Sequence, residues 1–214
     1  MFGQLCPKTN NCMYQKLFKR LIDVCLSLVF IIALLPVYLI FYFLCLVFMG
    51  SPVFFIQKRV GQDNKVFKLY KFRSMRDKSE QYNADYKRIT TFGRILRIAR
   101  IDELPQLVNI MKGDMSFIGP RPLLPEYLPY YSDYELQRHD VRPGLSGLSQ
   151  VSGSYPSWEE QFENDIKYVN GLTLKMDVVV LIKTFKKVLL PTQKLISGKQ
   201  GRIRFDLYRS SSIN

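Results

Sequence analysis

The sequence contains few residues of the kinds that build zinc sites and disulfide frameworks. It has one histidine, His139, and four cysteines (Cys6, Cys12, Cys25 and Cys45), which all lie in the first 45 of its 214 residues. This excludes a zinc cluster of histidine and cysteine ligands and argues against a disulfide framework, so we expect a reducing environment that faces the cytosol. For His139 we expect a structural hydrogen bond rather than proton transfer.

Several common catalytic motifs are also missing. The chain has no Gly-x-Gly-x-x-Gly, no phosphate-binding Gly-Lys-Ser/Thr loop, no His-Glu-x-x-His, no Gly-x-Ser-x-Gly and no Asp-x-Asp of the kind that many nucleotide-sugar enzymes use for a metal. If the protein is an enzyme, carboxylates and arginines must therefore carry its chemistry.

Acidic residues are in the minority. The chain has 31 Lys and Arg against 18 Asp and Glu, a net charge of +13, and 47% of its residues are hydrophobic. A disordered basic tail protein would be less apolar, and this length suffices for one packed domain. The positive charge suits phosphate-rich ligands or anionic lipid.

A long uncharged segment predicts contact with a membrane. No charged side chain occurs from Val24 to Gln57, and Ser27 is the only clearly polar residue from Val24 to Phe48. Pro36 removes a backbone donor in the middle of this run and divides it into halves of twelve residues. Each half, as a helix, is about 18 Å long, while the hydrocarbon core is roughly 30 Å thick.

Positive charge on both sides of this segment favours keeping both of its ends on the cytoplasmic face. We therefore expect a re-entrant helix that enters one leaflet, breaks at Pro36 and returns. An ordinary spanning helix with a tolerated proline is the alternative, and a cleaved signal peptide is disfavoured because the run is too long and starts too far into the chain. The flanking cations are Lys16, Lys19, Arg20, Lys58, Arg59, Lys65 and Lys68.

The rest of the chain predicts a mainly α fold with a small β-hairpin. Residues 53–59 and 65–72 are typical of two strands around a turn, and 94–100, 103–112, 158–170 and 172–190 are typical of helices. Prolines and glycines between 119 and 153 predict ordered turns that join short helices, and Gly113 is the expected end of the helix before them. The expected apolar face of helix 103–112 comprises Leu104, Leu107, Val108 and Met111.

Helix 172–190 is basic and amphipathic. Two interpretations stay open for it: a surface helix packed on the core, or a helix lying along an anionic membrane surface. The tail from Pro191 onward is polar and basic, and we expect it to be mobile. The amphipathic pattern sets Lys183, Lys186 and Lys187 against Met176, Val179, Val180 and Phe185.

Asp102 and Glu103 form an acidic pair within a basic surrounding. Asp102 falls at the predicted N-cap of the helix that ends near Gly113, with Pro105 in the tolerant first turn, and the helix dipole and nearby arginines would keep it ionised. A simple capping role is one explanation. The other is divided labour, in which one carboxylate attacks phosphorus and the other holds a hard cation such as Mg²⁺.

Two basic stretches surround the acidic pair in the sequence. Residues 58–76 hold seven cations and one acid, and residues 87–100 hold five cations and no acid. A solvated basic face is the simple interpretation for any one lysine. Arg121 and Arg142 lie between prolines and glycines. Because rigid turns there leave the guanidinium group little conformational entropy to lose on binding, these positions favour phosphate binding.

Four ordered motifs resemble the bacterial sugar transferase family, the small monotopic phosphoglycosyl transferases. They are 71–75 (Lys-Phe-Arg-Ser-Met), 102–106 (Asp-Glu-Leu-Pro-Gln), 113–122 (Gly-Asp-Met-Ser-Phe-Ile-Gly-Pro-Arg-Pro) and 141–153 (Val-Arg-Pro-Gly-Leu-Ser-Gly-Leu-Ser-Gln-Val-Ser-Gly). The similarity covers about residues 16–190. Together the motifs are highly specific, whereas any one of them alone would be weak.

The resemblance implies transfer of a sugar 1-phosphate from a UDP-sugar to undecaprenyl phosphate, with release of UMP and initiation of a membrane-bound glycan. It implies that Asp102 is the nucleophile, that it forms a covalent phosphosugar intermediate, and that Glu103 holds Mg²⁺. A carboxylate is repelled by a diphosphate until charge is neutralised. The cations expected to neutralise that charge, besides Mg²⁺, are Lys71, Arg73, Arg97, Arg121 and Arg142.

The resemblance also implies an organisation and a location. We expect a tail at 1–15, a re-entrant membrane helix at 16–50, a cytosolic catalytic domain at 51–190 and a basic tail at 191–214, on the cytosolic face of the bacterial inner membrane. The expected partners are the UDP-sugar donor, the undecaprenyl phosphate acceptor and the inner leaflet, with no nucleic acid; a homodimer stays open. The competing class is a non-catalytic, membrane-anchored basic module or scaffold that binds anionic lipid or nucleic acid.

Two positions depart from the family pattern. The family often has Ser before the helix-breaking proline, where its hydroxyl can satisfy a freed backbone group, and this chain has Leu35. After Gly153 the family commonly carries Arg, and this chain has Ser154. One substrate contact is expected to be altered there.

Overall fold

The computed structural model describes residues 14–77, 88–152, 157–189 and 203–211, so Ser154 and most of the C-terminal tail lie outside the described residues. The fold is mostly helical, as predicted. Short 3-10 turns lie at Gln62–Asn64, Ile101–Glu103, Pro125–Tyr130 and Gln137–His139, and a π-helical turn at Tyr14–Phe18 leads into the first helix. The helices are α1 Lys19–Ala33, α2 Leu35–Met49, α3 Thr91–Ile98, α4 Gln106–Lys112, α5 Asp133–Leu136, α6 Leu148–Val151, α7 Trp158–Asn170, α8 Leu174–Leu189 and α9 Phe205–Ser211, and the strands are β1 Phe54–Val60, β2 Val66–Phe72, β3 Ser116–Ile118 and β4 Gly144–Ser146.

Helices α1 and α2 are bent by 63° at Leu34, close to the predicted break. Pro36 lies in the first turn of α2, where its missing amide hydrogen costs least. The amide of Leu34 donates to the carbonyl of Phe30 at 2.9 Å, so the helical hydrogen-bond pattern of α1 continues up to the bend. Within the described residues, neither helix alone meets the length and hydropathy expected of a membrane-crossing helix, while the bent pair together does.

Helix α1 carries its polar residues on the buried side. Lys19, Asp23 and Ser27, spaced by four residues, are all buried, whereas most of the apolar residues between them are exposed. The ammonium of Lys19 contacts Asp177 Oδ2 of α8 at 2.5 Å. Asp23 accepts hydrogen bonds from the hydroxyl of Ser116 and the amide of Phe117, both at 3.1 Å. This polar stripe attaches α1 to β3 and α8.

Strands β1 and β2 form the predicted antiparallel hairpin, with Phe54 opposite Phe72 and Val60 opposite Val66. Leu69 and Phe72 of β2 are buried. Leu69 packs with Leu107 and Ile110 of α4, so the hairpin and the helix after the acidic pair share one core.

Helix α4 is shorter than predicted and turns a different face inward. Leu107 and Ile110 are buried, while Met111 is 37% exposed. The helix ends at Gly113, whose φ of 96° is the left-handed C-terminal conformation expected from the sequence.

The proline and glycine motifs of the sequence meet each other in space. Strands β3 and β4 pair in parallel, Ser116 with Gly144 and Ile118 with Ser146, although no strands were predicted there. A Cβ atom added at Gly144 would lie 2.1 Å from the amide nitrogen of Gly119, so only glycine permits this crossing.

The prediction of a mobile C-terminal tail is wrong for the part of the tail that the structure describes. Residues Phe205–Ser211 form α9, and Phe205 is fully buried against Tyr127, Tyr131 and Trp158. The indole of Trp158 also donates to the carbonyl of Ile203 at 3.1 Å. The buried side chain of Phe205 thus holds a polar segment against the body of the protein. The average composition of the tail does not reveal the effect of one such residue.

Helix α8 packs on the body through a narrow stripe. Asp177 and Val180 are buried, whereas Val179 and Phe185, predicted to share one apolar face with Val180, are 38% and 61% exposed. The hydroxyls of Ser146 and Thr184 are 2.6 Å apart and join α8 to β4. The helix therefore presents most of its apolar residues outward.

Candidate active site

The acidic pair lies in a sharp turn between α3 and α4. Arg100 adopts the left-handed conformation (φ 59°, ψ 17°), which costs a residue with a side chain about 1 kcal/mol and redirects the chain into the turn Ile101–Glu103. The prediction that Asp102 caps the following helix is wrong. Helix α4 begins at Gln106, a full turn later, and has no side-chain cap, because Pro105 occupies its N-terminal position.

Glu103 is held by three cations from separate parts of the chain. Lys71 of β2 contacts its carboxylate at 3.2 Å, Arg100 at 3.6 Å and Arg121 at 3.9 Å. Burial raises the pKa of this carboxyl, but the three cations outweigh burial and hold the pKa below its usual value. Glu103 is therefore a fixed negative charge at any pH near neutrality.

Asp102 has the opposite environment. It is 7% exposed and has no ion pair or hydrogen bond to any of the residues that the structure describes. Burial, followed by the charge of Glu103, raises the pKa of Asp102 to about 6, although nearby cations oppose the shift. The carboxylate is ionised above pH 6, but the expectation that a helix dipole and nearby arginines favour its ionisation is wrong, because burial and Glu103 outweigh the cations. It has no direct partner that neutralises it within the described part of the chain. Such a carboxylate is available to attack an electrophile.

The other predicted phosphate-binding residues divide into two groups. Arg97 faces Asp102, and its Nε donates to the hydroxyl of Ser74 at 3.0 Å. Arg73 and Arg142 make their contacts away from the acidic pair and stay predictions as phosphate ligands. Arg73 donates to the carbonyls of Ser51 and Met75 and to Asp77, and Arg142 donates to the carbonyl of Gly113.

Sequence reasoning missed two residues that shape this site. The sequence places Arg100 in a basic stretch but indicates no role in the site for it, because only its left-handed backbone conformation brings it to Glu103. Asn109 is fully buried, and its amide accepts from Tyr70 N (3.1 Å) and donates to Lys68 O (2.7 Å). This asparagine fixes α4 to β2 and so sets the distance between the acidic pair and Lys71. A buried asparagine gives no distinct signal in sequence.

The carboxylate of Glu103 suits a magnesium ion that arrives with its substrate. Mg²⁺ usually takes one or two carboxylates and completes its octahedron with water and substrate phosphates. The lowered pKa of Glu103 keeps one such ligand ionised. In the described part of the chain, no cluster of three or more His, Cys, Asp or Glu side chains is placed to hold a metal.

The prediction of a structural hydrogen bond for His139 is wrong. Both ring nitrogens are buried without a hydrogen-bond partner among the described residues, and the ring packs edge-on against Tyr131, with centroids 5.5 Å apart. Burial, together with the charge of Arg138, lowers the pKa of His139 to about 3. The ring is therefore neutral, and it acts as a packing group.

Comparison with known proteins agrees with this geometry. The family model described as bacterial sugar transferase matches residues 14–191. Over 145 residues the chain is 47% identical to the uncharacterized sugar transferase EpsL of Bacillus subtilis, covering 66% of this chain and 72% of that protein.

Two further relatives carry more specific names. The UDP-N-acetylgalactosamine-undecaprenyl-phosphate N-acetylgalactosaminephosphotransferase of Aeromonas hydrophila is 40% identical over 151 residues, covering 65% of this chain and 36% of that protein. The exopolysaccharide production protein ExoY of Rhizobium meliloti is 34% identical over 193 residues, covering 80% of this chain and 85% of that protein. The chain thus spans little more than a third of the Aeromonas relative.

The family model and the names of these relatives indicate a sugar-phosphate transferase, the class that the four motifs predicted. The chain belongs to the bacterial sugar transferase family. The predicted resemblance and enzyme class are thereby confirmed.

Proposed function

We propose that the protein transfers a sugar 1-phosphate from a UDP-sugar to undecaprenyl phosphate and thereby initiates a membrane-bound glycan. The observation that carries this proposal is the contrast within the acidic pair: Glu103 is paired with three cations, while the buried Asp102 has no direct partner among the described residues. The names of the Aeromonas and Rhizobium relatives support the donor, the acceptor and an exopolysaccharide product.

The reaction proceeds in two displacements at one phosphorus. A carboxylate oxygen of Asp102 attacks the β-phosphorus of the donor, and the bond from that phosphorus to the bridging oxygen breaks, so that UMP leaves with the electron pair. A phosphate oxygen of the acceptor then attacks the same phosphorus and releases Asp102. Mg²⁺ would neutralise the diphosphate during the first step, with Glu103 as its protein ligand. Lys71, Arg97 and Arg121 would bind the phosphate oxygens.

We further propose that α1 and α2 form a re-entrant hairpin in the cytoplasmic leaflet. The buried polar stripe of α1 leaves an apolar outer surface, which is costly in water and favourable in lipid. That surface continues onto α8, and both ends of the hairpin lead to basic segments. Its most exposed members include Val29, Ile32, Phe43, Val47 and Phe185, which are between 59% and 77% exposed.

Cysteine labelling tests the membrane arrangement. Cys6 and Cys12 precede α1, and a Ser51→Cys variant with both of them replaced by serine places a thiol after α2. We expect a membrane-impermeant maleimide to label both proteins in inverted vesicles and neither in intact cells. Labelling of the two proteins from opposite sides would contradict the re-entrant arrangement and indicate a spanning helix.

Release of UMP from a panel of UDP-sugars, with Mg²⁺ and undecaprenyl phosphate, tests the proposed activity. We expect one class of donor to release UMP, and no release after chelation of the metal. Absence of release with every donor would overturn the proposal and favour the scaffold alternative, which none of the relatives' names supports.

The pH dependence of the first displacement is a further prediction. Because Asp102 must be ionised to attack and burial raises its pKa to about 6, kcat/KM for the donor should rise about tenfold per pH unit below pH 6 and level off above it. The pKa of His139 is about 3, so titration of its imidazole cannot produce a rise of kcat/KM near pH 6. A profile that is flat from pH 5 to 8 would show that Asp102 does not act as an ionised nucleophile.

A further inference from the structure

A cavity of about 400 Å³ lies between the bend of the helix hairpin, the β3–β4 crossing and α8. Its walls are mainly apolar, and its position joins the surface proposed to meet lipid with the acidic turn. A pocket with apolar walls and a few polar groups at one end suits a ligand with a long apolar body and a polar head. The apolar lining includes Phe30 and Leu34 at the bend, Leu145 of β4, and Phe185 and Val188 of α8.

The polar end of the cavity carries two cations close to the active site. Arg100, Glu103 and Lys187 all line it. The ammonium of Lys187 donates to the carbonyl of Gln150 at 2.6 Å, which fixes it at the cavity wall. Burial, and then the charge of Arg100, lower the pKa of Lys187 from its ordinary value. Arg100 pairs with Glu103 at 3.6 Å, and the ammonium of Lys187 adds a second cation at the same end, which suits an anionic head group.

Gln150 is a further polar residue in the wall of the cavity. Its backbone carbonyl accepts the hydrogen bond from Lys187, so this part of the chain positions the ammonium. Its side-chain oxygen is buried near Gly147 and has no hydrogen-bond partner among the described residues.

We propose that this cavity holds the head end of the polyprenyl phosphate acceptor, with Lys187 binding its phosphate and the apolar walls enclosing the isoprenoid units next to it. The inference rests on the proposed function and adds an acceptor site to it. A lipid phosphate fits this cavity better than a free phosphate because a cationic end adjoins apolar walls. The polar end also includes Glu103, the residue next to Asp102. A phosphate bound there lies beside the acidic turn, because Arg100, Glu103 and Leu104 all line the cavity.

Separate measurement of the two displacements tests this assignment. Without acceptor, the parent should release at most one UMP per protein in a burst; with acceptor, it should turn over. In neutral detergent micelles, we expect Lys187→Met to raise the KM for undecaprenyl phosphate roughly tenfold, about 1.4 kcal/mol, and to leave the burst unchanged. Lys187→Arg should restore most of the lost affinity.

The same helix provides a matched control. Lys186 is exposed and lies outside the cavity lining, so Lys186→Met removes an equal charge and should leave the acceptor KM within about twofold of the parent. An equal effect of both substitutions would overturn the site and indicate that the helix attracts the acceptor only through its general charge. An unchanged KM in Lys187→Met would overturn it as well.

A wall substitution tests the apolar part independently. Phe185 lines the cavity, while Ile182, on the same helix and 51% exposed, does not. Phe185→Ser should raise the acceptor KM severalfold with an intact burst, and Ile182→Ser should not.

Loss of the burst in Lys187→Met would place Lys187 in donor chemistry and contradict the inference. Absence of UMP release from the parent would instead contradict the proposed function, so the two failures are distinguishable.

Discussion

Asp102→Asn is expected to abolish transfer while making the folded protein more stable. The substitution keeps the shape of the side chain but removes the nucleophilic oxygen, so we expect the UMP burst to disappear and turnover to fall by about 10⁴-fold or more. The exposed Asp133 provides the control, because Asp133→Asn makes the same chemical change outside the site and should retain full activity.

The stability gain follows from the pKa of Asp102. Its pKa rises from the ordinary 3.8 to about 6 on folding, so between these pH values the folded protein binds the proton that the unfolded chain releases. Stability contributed by this group is therefore lost as pH rises through 6. At pH 7.5 the ionised carboxylate destabilises the fold by an amount on the order of 3 kcal/mol, which asparagine removes.

Thermal denaturation of parent and Asp102→Asn in the same detergent checks this expectation. We expect a higher melting temperature for the variant at pH 7.5, and the difference should shrink as pH falls through 6 toward 4, where the folded parent carries a protonated carboxyl. Loss of activity together with reduced stability at pH 7.5 would indicate that Asp102 stabilises the fold, rather than being a nucleophile whose buried charge destabilises it. Unchanged activity would contradict the nucleophile assignment directly.

The bend, the hairpin and the end of α4 could be predicted because each has a local cause. Pro36 lacks an amide hydrogen, alternation of residue types marks the hairpin, and Gly113 adopts a positive φ that other residues avoid. These causes act within a few residues of the chain, so single-sequence patterns contain them.

The site could be predicted only in part, because its geometry depends on contacts between distant segments. Motifs indicated Asp102 and Glu103, but the partners of Glu103 come from β2, from the left-handed Arg100 and from the loop at Arg121. The start of α4 was misplaced because the polar residues at 102 and 103 resembled an N-terminal cap, while Pro105 shifted the helix onward. No local pattern encodes such distances.

Arg138→Met is expected to destabilise the folded protein severely. Arg138 and Asp165 are 1% and 0% exposed, and Arg138 Nη2 lies 2.7 Å from Asp165 Oδ2. The same nitrogen donates to the carbonyl of Arg121 at 2.7 Å, and Ser149 donates to the other oxygen of Asp165 at 2.8 Å. Methionine fills most of the volume but leaves Asp165 charged and unpaired in the interior.

Breaking one side of a buried ion pair costs about 3–5 kcal/mol, so the melting temperature of Arg138→Met should fall by many degrees. The exposed pair between Arg204 and Asp206 (2.9 Å) is the matched control, and Arg204→Gln should change stability by less than about 1 kcal/mol. A drop in Arg138→Met no larger than that of the control would contradict the role given to the buried pair.

The double variant Arg138→Met/Asp165→Leu separates the cost of an orphaned charge from the value of the pair. Because it removes both charges, it should be more stable than Arg138→Met alone. It still lacks the donor to Arg121 O, however, so the loop that carries Arg121 to Glu103 loses its anchor. We therefore expect the restored stability to coexist with a raised KM for the UDP-sugar, measured by UMP release. A double variant with parental KM would show that Arg121 is positioned without Arg138.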